Sequence, residues 1–261
     1  MNNNDTLPAN TGIEWIRQGF VLFRQQPAEL SMLFLLYLLL MFSLSLIPLI
    51  GQLLPLLLVP VCSMAFMQAC ADIEAGKKVR PSVLLTGFRS PALGTLLRLG
   101  ALYLLAAVLA VAASSLVDDG VFWQLMSGQL QPDRDNIPAT ALPLSMLFAG
   151  LVYLPFAMAF WHAAPLATWQ KMGLFKAIFY SFFAVRRCSM AFLAYGLGWI
   201  VIGVALPAVI SAVFTLLIGK SAVTMMVLMP LSVILTIVMY CSFYPTYVQM
   251  FARPESVSVE A

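Results

Sequence analysis

Charge is what this chain has least of. Only 10% of its 261 residues are Asp, Glu, Lys or Arg, while 62% are hydrophobic; soluble domains carry about a quarter charged and about half apolar. Water is therefore not the solvent the sequence is written for. Histidine occurs once, at His162, and the cysteines Cys62, Cys70, Cys188 and Cys241 form no CxxC pair and have no histidine cluster nearby. They read as buried free thiols, and no metal or cofactor is expected. The chain has no GxxxxGK[ST], HExxH or GxSxG, and no apolar span carries an Asp, Glu, Lys or Arg near its centre. Proton relays and ion-coupled transporters normally place such a group at membrane depth. Next to His162 there is neither a nucleophile nor an orienting carboxylate, so it reads as a packing residue beside Trp161 and the protein is not expected to be an enzyme. Met1 to Asn10 has no basic side chain and the first long apolar run begins near Leu30, so the first span is expected to be retained rather than cleaved.

What charge there is sits in connectors. Cys62 to Arg98 leaves one apolar run, crosses Lys77, Lys78, Arg80, Arg89 and Arg98 against only Asp72 and Glu74, and enters another. Such a basic loop belongs on the cytoplasmic side, and every other crossing is counted from it. Since about 20 apolar residues cross a bilayer as helix, the runs predict six spans, at about 30–48, 52–71, 96–117, 142–160, 190–218 and 223–250. They lie in one membrane domain, 11–251, between disordered tails at 1–10 and 252–261. The turns at Ile50 to Gln52 and Gly219 to Ser221 are external. Trp161 to Arg187 is a second inner loop, with Lys171, Lys176, Arg186 and Arg187 and no acid. Twelve basic residues then lie inside, and only Arg134 and Lys220 outside, which places both termini in the cytoplasm. The net charge of +3 is distributed for orientation, so nucleic acid is not an expected partner.

The external segment from Asp118 to Thr140 carries Asp118, Asp119, Asp133 and Asp135, without the loop spacing calcium needs. It reads as a solvated acidic loop, with Trp123 at headgroup depth. Ala106, Ala110 and Ser114 stand four apart and predict a close helix contact.

Three units repeat: an inner amphipathic segment, a span out, a turn, and a returning span with a proline in its inner half. The lead-in segments are Ile13 to Arg24, Ser82 to Arg89 and Leu174 to Arg187; the prolines are Pro60, Pro155 and Pro245. Gly19–Phe20 and Ser181–Phe182 occupy matching positions before Arg24 and Arg186, and the middle segment fits less well. In the first segment Thr11 and Glu14 have capping-box spacing, Ile13, Ile16, Phe20 and Phe23 form the apolar stripe, and Trp15 is a headgroup anchor. In the third, Leu174, Phe175, Ile178, Phe179, Phe182 and Val185 form a stripe between basic ends, so it is expected to lie along the cytoplasmic interface.

At CADIEAGKKVRPSVLLTGFR, preceded by PVCSMAFMQA, and at YLPFAMAFWHAAPL followed by KAIFYSFFAVRR, the chain resembles a family of uncharacterised six-span integral membrane proteins of proteobacteria. The resemblance runs from Trp15 onward and is distantly similar to the membrane domain attached to some bacterial glycerophosphodiester phosphodiesterases, whose soluble catalytic domain has no counterpart here. It implies the bacterial inner membrane and no established activity.

The sequence thus specifies an all-α polytopic bundle of six transmembrane helices in three hairpins, with short interfacial helices on the cytoplasmic side. Its leading functional reading is a non-enzymatic membrane protein whose Lys77, Lys78, Arg80, Arg89, Lys171, Lys176, Arg186 and Arg187 meet anionic membrane lipids or an acidic protein partner; orientation alone would also require such charges. The alternative is a transporter or pore for an uncharged or amphiphilic solute, its cavity lined by helices kinked at Pro60, Pro155 and Pro245.

Overall fold

A backbone in lipid satisfies its amide groups only internally, and the apolar runs fold accordingly. The computed structural model describes residues 7–48, 51, 53–126, 129, 141–218 and 222–253, and no strand occurs among them. Helix α1 (Asn10–Gln25) precedes α2 (Pro27–Ser45) and α3 (Leu54–Glu74); a 3₁₀ turn (Pro81–Leu85) and α4 (Thr86–Arg89) lead to α5 (Leu93–Asp118), α6 (Val121–Met126) and α7 (Ala141–Phe160). Then come α8 (Ala163–Trp169), α9 (Leu174–Arg187), α10 (Ser189–Ile200), a π segment (Val201–Ala205), α11 (Leu206–Ile218) and α12 (Ala222–Phe251). Among the described residues six stretches are long and apolar enough to cross a membrane: Pro27–Ser45, Leu54–Glu74, Leu93–Asp118, Leu142–Trp169, Ser189–Leu216 and Met225–Phe251. Asp133, Arg134, Asp135 and Lys220, with Ile50, Gln52 and the extreme tails, lie outside the described residues.

The packing is concentrated at one end. Residues 61–73 of α3, Leu96 and Leu99 of α5, Phe160, Ala163, Leu166 and the Ile237–Tyr247 turns of α12 share one buried cluster. Away from it α11 leaves Leu206, Val209 and Val213 exposed, as suits side chains facing lipid. The expected small-residue contact forms: Ala106, Ala110 and Ser114 are buried where α5 meets α7, which buries Ser145 and Ala149 in turn.

The threefold pattern closes into a ring. Each lead-in segment packs on the returning helix of the unit before it: α4 on α3, α9 on α7, and α1 on α12. A small residue marks each contact. A Cβ on Gly19 would meet Ser242 and the Val238 carbonyl, and one on Gly87 would meet the Val61 carbonyl, while the Ser181 hydroxyl donates to the Met158 carbonyl at 3.0 Å. The middle segment therefore fits through Gly87–Phe88, the counterpart of Gly19–Phe20 and Ser181–Phe182.

Four local expectations are corrected. No capping box forms at α1: its first turn has no side-chain cap, and Glu14 accepts from Arg17 at 2.8 Å and Gln18 at 3.1 Å instead, bonds that hold its carboxyl below the usual range. Trp15 is no headgroup anchor, because it is 0% exposed and its indole N–H donates to Gln249. The buried face of α1 is Thr11, Gly12, Trp15, Ile16, Gly19 and Leu22, while Ile13 turns outward. Pro60 is the seventh residue of α3, in the first half of that helix, where the expected proline position was the second.

The fifth span contains a device of its own. Pro207 cannot donate to the Gly203 carbonyl and its ring crowds that turn, so the backbone widens into the π segment and the Leu206 N–H reaches the Val201 carbonyl, five residues back.

At the end of α5 the Asp118 carboxylate accepts the N–H groups of Gly120 at 3.0 Å and Phe122 at 2.8 Å. It thereby satisfies orphan donors at the start of α6, which carries the part-exposed Trp123.

Candidate functional site

The eight basic residues singled out from the sequence are exposed and surround the packed end of the bundle. Among the described residues the ion pairs are Arg17–Glu14, Lys78–Glu29 at 3.4 Å and Arg253–Glu74 at 3.0 Å. Lys78 is thus partly committed, and Lys176 stands 5.9 Å over the Tyr180 ring. Lys77, Arg80, Arg89, Lys171, Arg186 and Arg187 keep their charge toward the surroundings. The first connector is itself fixed: Gln26, at the α1–α2 junction, donates to the Lys77 carbonyl at 2.7 Å and accepts from the Val79 N–H at 2.9 Å.

The second basic group is carried by α9, held through a buried polar node. The His162 N–H donates to Ser181 Oγ at 2.9 Å, linking the α7–α8 break to α9. His162 is 1% exposed, and its Nε2 lies 3.0 Å from Thr246 Oγ1 on α12. Because the Thr246 hydroxyl already donates to the Phe243 carbonyl at 2.7 Å, the proton of this pair is assigned to Nε2. Nδ1 is then an acceptor with no partner among the described residues. Phe192, Tyr247 and Phe251 surround the ring. Among the described residues no carboxylate is hydrogen-bonded to it, and its contacts join the α7–α8 break to α9 and α12. A lone histidine gave no sequence signal for Thr246, 84 residues away.

The three prolines do not converge. Pro60 is buried and Pro155 exposed, while Pro245 lines a groove of about 1040 Å³ between α1 and α12. Glu14, Gln18, Gln25, Glu74, Gln249 and Arg253 edge that groove. Glu74 is clasped by Tyr244 at 2.6 Å and Arg253 at 3.0 Å, which joins the ends of α3 and α12. Rings stack between neighbouring helices, Phe66 of α3 on Tyr240 of α12 with centroids 4.5 Å apart and Tyr103 of α5 on Phe160 of α7 at 4.7 Å. Among the described residues no group of three His, Cys, Asp or Glu is placed to hold a metal ion.

A probable inner membrane protein of Burkholderia thailandensis is 41% identical over 254 residues, which cover 95% of this chain and 93% of that protein. The chain belongs to its family. No family model matches the sequence, and no solved structure matches it. Membership of this inner-membrane family, with the six apolar helices, identifies an integral membrane protein.

Proposed function

We propose that this is a non-catalytic protein of the bacterial inner membrane, with both termini in the cytoplasm, whose basic face engages anionic lipid headgroups. The observation that carries the reading is the exposed set Lys77, Arg80, Arg89, Lys171, Arg186 and Arg187, free of ion pairs among the described residues. A basic residue beside an anionic leaflet contributes about 1 kcal/mol of attraction. Replacing Lys171, Lys176, Arg186 and Arg187 together with glutamine should lower co-purified phosphatidylglycerol severalfold at unchanged topology. Unaltered retention would mean that the charges only orient the chain. The alternative, a transporter or pore for an uncharged or amphiphilic solute, would draw on the groove of about 1040 Å³ that Pro245 lines between α1 and α12.

Orientation has a direct check. All four native cysteines are buried, so Arg187→Cys supplies an exposed thiol that an impermeant maleimide should label in inverted vesicles and not in intact cells. Labelling from the periplasm would reverse the orientation.

A further inference from the structure

We infer that α9 lies in the plane of the membrane surface as a wedge, with Phe175, Phe179 and Phe183 at the acyl boundary and anionic phospholipid headgroups held by the cations around them. The inference rests on the lipid-binding reading above and names the element and side chains that carry it.

Two series, each stepping by four, run along this helix. Ala177, Ser181 and Val185 are buried, packed toward α7 and α8. Phe175, Phe179 and Phe183 are 80%, 59% and 47% exposed. An offset of two residues is about 200° around a helix, so the series occupy opposite faces. The arrangement inverts the usual one: the small side chains face the protein and the large apolar ones face out. The Phe179 and Phe183 centroids stand 4.5 Å apart, so these rings form one patch, of the kind that marks an interaction surface.

The occupant is set by charge and by continuity. Lys176, Arg186 and Arg187 are exposed on the same helix, and no acid occurs from Trp161 to Arg187, so the complement is anionic. Only Cys188 separates α9 from α10, a membrane-capable helix that exposes Met190, Leu193 and Leu197. The aromatic patch thus continues into lipid-facing surface, as a bilayer would require and a water-borne protein partner would not. A helix of 14 residues is about 21 Å long, short of a core of about 30 Å. Its cations keep their heads in the headgroup layer while their stems lie along the patch.

The test uses the full chain in nanodiscs of phosphatidylcholine with or without phosphatidylglycerol. Phe179→Trp adds a fluorophore at the patch, read as the difference from the parent. Brominated phosphatidylglycerol should quench the added emission roughly twofold, brominated phosphatidylcholine less, and aqueous iodide little. Phe175→Ser, at the most exposed ring, should reduce co-purified phosphatidylglycerol without changing the charge. Quenching by iodide and by neither lipid would overturn the wedge, as would shielding from all three, the mark of a protein cover. If in either case the four-glutamine variant still loses lipid, the basic-face reading survives without the wedge. Equal quenching by both lipids would overturn the anionic preference and the reading beneath it.

Discussion

Trp15→Ala should lower the stability of the detergent-purified protein by about 3 to 5 kcal/mol, the usual cost of emptying a buried aromatic site. The ring is fully buried between α10 and α12, 5.1 Å from Phe192 and 6.0 Å from Tyr195 between centroids. Gln249 also loses the indole donor its side-chain oxygen accepts, but it is exposed at the edge of the groove, where water can take the donor's place, so the lost packing dominates the cost. Thermal unfolding with proteolysis of the N-terminal segment as a second readout measures the effect; Trp15→Phe should recover part of the packing and none of the hydrogen bond. A midpoint equal to the parent's would show that α1 is dispensable to the fold.

Gly87→Leu should be comparably damaging, by a different route. At Gly87 the obstacle is the backbone carbonyl of Val61, which no rotamer change removes, so α4 must separate from α3. Overpacking commonly costs about 1 to 3 kcal/mol and more where backbone has to move. Gly94→Leu is the control, since nothing lies within 4 Å of a Cβ at that position. Equal midpoints for the two variants would remove the middle segment from the ring of contacts.

The spans were legible because length and hydropathy alone decide them, and the small face of α5 was legible because Ala106, Ala110 and Ser114 follow a helical step. The face of α1 was misread for a definable reason. Ile13, Ile16, Phe20 and Phe23 make the more apolar stripe, yet helices approach most closely over Gly12 and Gly19, which carry no hydropathy signal. The same bias split the α9 stripe, where Ala177 and Ser181 set the buried side and Phe175 and Phe179 turned outward. The middle lead-in segment looked irregular because its match rests on Gly87 and a single turn of helix. The π segment was missed through Pro207, which was not singled out among the prolines. The basic residues could be named from sequence, but not that Lys78 pairs with Glu29 or that Thr246 meets His162, since these contacts join elements far apart in the chain.

The ring of lead-in contacts has a consequence in time. The surface that receives α1 is built largely by α12, and Trp15 and Gln249 are 234 residues apart. At about 5 to 20 residues per second, roughly 10 to 50 s of synthesis separates them. For that interval α1 exists without its binding partner, holding an unburied tryptophan beside a half-made bundle. Helix α1 is thus made well before the surface it docks on, and closure of the ring waits for the synthesis of α12.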